Sequence, residues 1–133
     1  MRVAFHRVDG RRVRVLSAGA PAATAIVLVH GIGTLAERWL RNLDDLGQSA
    51  QVLAPDLWSN GFSDELRPGD GAPPLAHVEQ LSGLLDVCGI QRCVMVGSSY
   101  GGQVAGLMAL THPQRVAALA IVGSGSALHD PET

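Results

Sequence analysis

The sequence predicts an α/β fold, a mainly parallel, doubly wound sheet opened by an antiparallel hairpin. Three observations predict it. Two alternating segments flank the dipeptide Asp9-Gly10, later apolar runs read as buried strands, and segments with helical spacing separate those runs. Of the 133 residues, 47% are hydrophobic and 17% charged, which is enough apolar material for one packed domain over residues 1–133 and too much for a disordered tail.

The elements follow in order. Val3 to Val8 and Arg12 to Leu16 alternate apolar and polar side chains around Asp9-Gly10, a pair suited to the positive φ angles of a tight hairpin turn. Thr24 to His30 is a continuous apolar run ending in His30, the pattern of a central strand covered on both faces. Leu35 to Leu46 places Leu35, Trp39, Leu43 and Leu46 near one side of a helix, and Gln51 to Pro55 reads as the next buried strand. After the surface loop Pro68 to Pro74, Leu75, Val78, Leu81, Leu85 and Cys88 repeat at three or four residues, and Gly89 stands where a helix-ending glycine belongs. The strand Cys93 to Val96, a crossover helix from Tyr100 to Thr111 ended before Pro113, and the apolar strand Val116 to Val122 complete the series.

Composition excludes several classes. Ten basic against twelve acidic residues give a net charge of -2 with scattered charges, so no nucleic-acid partner is expected. The first residues, Met1 to Arg7, carry charges where an export signal needs its apolar core. Cys93 to Gln114 is free of formal charge, yet Ser98, Ser99, Gln103 and several glycines interrupt it, so it does not read as a membrane span. Cys88 and Cys93 lie too close together, with no second pair, to build a disulfide framework or a four-ligand zinc site. A cytoplasmic protein acting on a small molecule, without metal or cofactor and away from membranes, is the expectation; the oligomeric state is not legible.

The strongest chemical signal is Gly97-Ser98-Ser99-Tyr100-Gly101, which fits G-x-S-x-G with Ser99 at its centre. Centring the pattern on Ser98 would need glycines where Val96 and Tyr100 stand. The strand before it and the helix after it supply the context this motif requires: a sharp turn lifts the serine oxygen above the sheet, with Gly97 and Gly101 avoiding clashes. A helix starting there also aims backbone N–H groups at a developing oxyanion. At the end of the central strand, His30-Gly31-Ile32-Gly33 can present the Ile32 N–H toward the same place, which with the Tyr100 N–H makes an oxyanion hole. His30, immediately before the turn, is expected to fix that loop by hydrogen bonds rather than to act as a base.

With these residues in view, the chain resembles the N-terminal part of an α/β-hydrolase, a three-layer fold, from its first strands through the sixth. In that resemblance His30-Gly31 is the oxyanion loop and Gly97 to Gly101 the nucleophile elbow. Asp56-Leu57-Trp58-Ser59-Asn60-Gly61-Phe62-Ser63 is similar to the family's D-x-x-G-x-G-x-S loop, with Ser59 in place of the first glycine. His112-Pro113-Gln114-Arg115-Val116 is similar to the family's junction between a helix and its sixth strand. The resemblance implies a serine hydrolase acting on a small carboxylic ester through an acyl-enzyme, with carbon-carbon bond hydrolysis as the nearest relative. Members with an aspartate nucleophile, such as dehalogenases and epoxide hydrolases, are disfavoured because Ser99 occupies the elbow.

The family's chain order, Ser then acid then His, requires both partners to follow Ser99. His112 falls at the far end of the crossover helix, roughly 16 Å from Ser99 at about 1.5 Å per residue, and is excluded as the base. His129 and Asp130 follow the last strand on the correct sheet edge but have no later element to hold them. The base and acid are therefore expected to be absent from this chain. Val116 to Val122 carries no charge to protect an exposed edge, which predicts further strands and hence a truncated or partial sequence, the C-terminal part of the fold missing. Two other readings remain: a non-catalytic remnant of the fold, and a dinucleotide-binding fragment. The latter rests on Gly31-Ile32-Gly33-Thr34-Leu35-Ala36 matching G-x-G-x-x-A, with Asp56 as the ribose-binding acid.

Overall fold

The computed structural model describes residues 1–123. The strands are β1 (Arg2–Val8), β2 (Arg11–Ala18), β3 (Thr24–Val29), β4 (Gln51–Pro55), β5 (Arg92–Ser98) and β6 (Val116–Val122). They form one sheet in the order β1-β2-β4-β3-β5-β6. The β1–β2 and β2–β4 pairs are antiparallel, and β4, β3, β5 and β6 run parallel. The hairpin turn takes φ of 51° at Asp9 and 71° at Gly10, the geometry its two residues predict.

Helices cover both faces. On one face α2 (Pro73–Val87) and α3 (Tyr100–Thr111) bury Leu81, Leu84, Leu85, Val104 and Met108 against Ala25, Val27 and Val29 of β3. On the other, α1 (Leu40–Gly47) and the 3-10 turn Ala36–Trp39 bury Leu43 and Ala36 against Leu28, Val52 and Ala54. β3 therefore alternates its side chains between two cores, as its uninterrupted apolar run requires. Each fully buried leucine on these faces contributes roughly 1.5–3 kcal/mol over an exposed one.

Two expectations are corrected. The helix read from Leu35 to Leu46 is divided: Leu35 is extended (φ -152°), Ala36–Trp39 is 3-10, and only Leu40–Gly47 is α-helical. The cause is tertiary, because the Ala36 N–H donates to Asp56 Oδ1 (2.8 Å) and Glu37 pairs with Arg14, which fixes the first turn from outside the segment. Leu75, counted in the apolar repeat of α2, is exposed, and His77 and Gln80 take buried places on that helix instead. β6 lies at the sheet edge, with Leu119, Ile121 and Val122 exposed. Among the described residues, no helix is long and apolar enough to cross a membrane.

Candidate active site

Pairing between β3 and β5 sets Val29 opposite Gly97, so the turns that leave these two central strands emerge side by side at the carboxyl edge of the sheet. Ser99 stands in the turn after β5, exposed, with φ 55° and ψ -122°. That left-handed conformation costs a non-glycine residue on the order of 1–3 kcal/mol and persists only where the surroundings over-determine it. They do so here. The Ser99 N–H donates to the Val122 carbonyl (3.0 Å), and the Ser99 carbonyl accepts from the Gly102 N–H (2.8 Å). Ser98 is the last residue of β5, half-buried.

The flanking glycines are required by contact. A Cβ on Gly97 would sit 2.5 Å from the Gly101 carbonyl carbon, and one on Gly101 would sit 2.5 Å from the His30 carbonyl oxygen, nearer still to that of Val29. The second contact is where the turn after β5 touches the end of β3. Gly101→Ala is therefore expected to push these strands' exits apart, with destabilisation of at least about 1–3 kcal/mol read by urea denaturation.

The loop after β3 reaches the serine as well. A Cβ on Gly31 would lie 3.2 Å from Ser99 Cβ and 3.7 Å from Ser99 Oγ. The Gly31 carbonyl accepts from His30 Nδ1–H (2.8 Å) and from the Thr34 hydroxyl (3.1 Å). Because the peptide is trans, the Ile32 N–H points opposite to that pinned carbonyl. The Ile32 side chain is exposed, while Tyr100 is the first residue of α3 and so offers an N–H with no intrahelical acceptor.

His30 is fully buried, and its tautomer follows from its partners: Nε2 accepts from the Leu57 N–H (3.0 Å), so the proton sits on Nδ1. Burial lowers its pKa from the ordinary value, more than the Gly31 carbonyl and the Asp56 charge raise it. His77 is likewise buried and neutral, with burial again the main cause of its lowered pKa. The folded protein thus disfavours protonation of both rings. Below about pH 6.5 the unfolded chain binds the protons first, so stability is complete above that pH and is lost as pH falls. A thermal midpoint that drops steadily between about pH 7 and pH 5 is the expected result.

The loop after β4 is organised by Asp56, which is fully buried. Its carboxylate accepts from Arg14 Nε (2.8 Å) and Nη2 (3.2 Å), from the Ala36 N–H (2.8 Å) and from the Phe62 N–H (2.8 Å). Gly61 lets the chain close on it, since a Cβ there would sit 2.5 Å from Asp56 Cγ. Ser59 adopts φ 68°, so the residue that replaces the motif's first glycine takes a glycine-like conformation; its hydroxyl accepts from the Leu66 N–H (2.8 Å). These bonds correct the dinucleotide reading: Asp56 has no exposed oxygen for a ribose.

The structure therefore brings Gly31, Gly97, Ser99 and Gly101 together and sets His30 behind them. His112 ends α3, opposite Ser99 at its start, and bonds Thr111 Oγ1 (2.8 Å). His129 and Asp130 lie outside the described residues. Sequence reasoning missed Arg14, Thr34, His77 and Gln80. A signal existed for two of them, since His77 and Gln80 are polar residues one turn apart beside the apolar stripe of α2. Among the described residues, no group of three or more His, Cys, Asp or Glu could hold a metal ion.

The sequence model of the alpha/beta hydrolase fold family matches residues 24–133. The chain belongs to that family. It is 36% identical over 132 residues to the dihydrolipoyllysine-residue acetyltransferase component of the acetoin cleaving system of Cupriavidus necator, covering 97% of this chain and 34% of the relative. It is 34% identical over 107 residues to the 2-hydroxymuconate semialdehyde hydrolase of a Pseudomonas species, covering 77% and 37%. The crystal structure of epoxide hydrolase A from Mycobacterium thermoresistibile superposes with a TM-score of 0.83 at 30% identity, covering 90% of this chain and 38% of that one. The chain thus spans about a third of the length of these curated relatives.

Proposed function

We propose that this α/β-hydrolase chain, one partial domain over residues 1–133, carries the nucleophile of a serine hydrolase acting on a small carboxylic ester. The observation that carries the reading is Ser99, exposed at the carboxyl edge of the sheet at φ 55° and ψ -122°, with Gly31 packed against it. In this mechanism Ser99 Oγ attacks the ester carbonyl carbon while its proton passes to a general base. The carbonyl π pair moves onto oxygen, and the Ile32 and Tyr100 N–H groups receive the oxyanion. Collapse expels the alcohol, and water then attacks the acyl-enzyme to release the acid and regenerate Ser99. No cofactor enters these steps.

His30 supports the oxyanion loop through Gly31 and is not the base in this reading, because both of its nitrogens are engaged. His77 is engaged in the same way. The base and acid belong outside the described residues. Two free thiols, Cys88 and Cys93, support a cytoplasmic location.

The similarity to a 2-hydroxymuconate semialdehyde hydrolase favours a second reading, hydrolysis of a carbon-carbon bond. The two separate on substrates. With a series of p-nitrophenyl esters the full-length protein is expected to give a burst of p-nitrophenol stoichiometric with enzyme, followed by turnover. No ester burst, but cleavage of a carbon-carbon substrate of the semialdehyde type, would transfer the assignment to the second reading. Inactivity on both would favour a non-catalytic remnant.

A further inference from the structure

We infer that His77 is a positioning residue of this site: its two ring nitrogens tie the Tyr100 side chain to the Trp58 backbone and so fix the turn that bears the Tyr100 N–H. The inference rests on the reading of that N–H as an oxyanion donor. Its geometry is specific. His77 Nε2 lies 2.9 Å from the Trp58 carbonyl, which only accepts, so Nε2 carries the proton. Nδ1 must then accept, and it lies 2.7 Å from the Tyr100 hydroxyl, which donates. The two rings meet edge to face, with centroids 5.6 Å apart. Burial pushes the Tyr100 phenol up to about 12, so the hydroxyl keeps its proton for this bond.

The same short strip of backbone is held from its other side by His30. The Leu57 N–H donates to His30 Nε2, and His30 Nδ1–H donates to the Gly31 carbonyl. Gln80, one turn beyond His77 on α2, accepts from the Trp58 N–H (2.8 Å) and donates to the Asp56 carbonyl (3.0 Å). Leu57-Trp58 is thus a common anchor. One histidine connects it to the peptide before Ile32, and the other connects it to Tyr100. The two proposed donors sit on different strands' exits, which the β3–β5 pairing sets side by side, and this strip ties both exits to one support.

A histidine that only filled a polar gap in the core would affect stability and leave the reactivity of folded protein alone. The test therefore measures the rate at which a fluorophosphonate labels Ser99 as a function of probe concentration, in folded full-length protein. Tyr100→Phe and His77→Leu are each expected to lower the limiting rate about tenfold with unchanged half-saturation, and the double variant is expected to be no slower than either. His77→Gln, which restores one donor and one acceptor, is expected to recover most of the rate. Limiting rates within about twofold of wild type, or losses that multiply in the double variant, would overturn the inference while leaving Ser99 as the nucleophile. If His77→Leu does not fold, Tyr100→Phe, which removes one oxygen, decides alone. Wild-type protein that takes no label would remove the parent reading and this inference with it.

Discussion

Ser99→Ala is expected to abolish covalent reaction with a fluorophosphonate probe in the full-length protein, whereas Ser98→Ala is expected to leave most of the labelling intact. The two serines are adjacent, but the backbone treats them differently. Ser98 ends β5 in strand conformation, paired to Val122 across the β5–β6 ladder. Ser99 sits in the turn, exposed, with its peptide N–H and carbonyl both consumed by the fold. Ser99 meets Gly31 with its side chain, whereas Ser98 meets it with its backbone oxygen, and Ser99 directly precedes Tyr100, whose N–H at the first position of α3 has no intrahelical acceptor. Removing Oγ from Ser99 removes the attacking atom. Removing it from Ser98 changes a half-buried strand side chain. In-gel fluorescence of the two variants beside wild type checks this directly, and labelling that survives Ser99→Ala would sink the assignment.

Asp56→Ala is expected to cost about 3–5 kcal/mol of stability, a large fraction of what a domain of this size has. The substitution does more than delete one ion pair. It leaves the buried Arg14 guanidinium with the Glu37 carboxylate and the face of the Phe62 ring, and it strands the buried Ala36 N–H and the Phe62 N–H. Arg14 cannot escape by losing its proton, since a guanidinium is always protonated in proteins and the remaining Glu37 raises its pKa further. The loss also releases the first turn before α1 and the loop that supports His30 and His77. Urea denaturation should show a lowered midpoint, and a cost below about 1 kcal/mol would contradict the role assigned to this carboxylate.

The parts of this structure that were legible in the sequence are those with local causes. Asp9-Gly10 takes positive φ because those residue types tolerate it, and Gly89 ends α2 at φ 68° for the same reason. The strand, Ser99 turn and α3 were readable because the glycines at 97 and 101 flank the serine at the spacing of a strand-to-helix turn, where the backbone packs too closely to admit a Cβ. The division of the first helix was not readable, because Asp56 and Arg14 impose it from elsewhere in the chain. Leu75 misled because periodicity reports a face of the helix and not how far along the helix the core extends. His77 and Gln80 were passed over since a buried polar side chain on a helix becomes informative only once its partner is known. Here the partner is the backbone of Trp58.

The central claim is that Ser99 is the atom donor of an acyl-enzyme, and the most direct measurement traps that species. Full-length protein is mixed with a p-nitrophenyl ester, quenched in acid during the burst and digested with trypsin, which cuts after Arg92 and Arg115 and releases both serines on one peptide. Fragment-ion spectra of that peptide are expected to place the acyl group on Ser99. An acyl group on Ser98, or on a residue outside Cys93 to Arg115, would contradict the account.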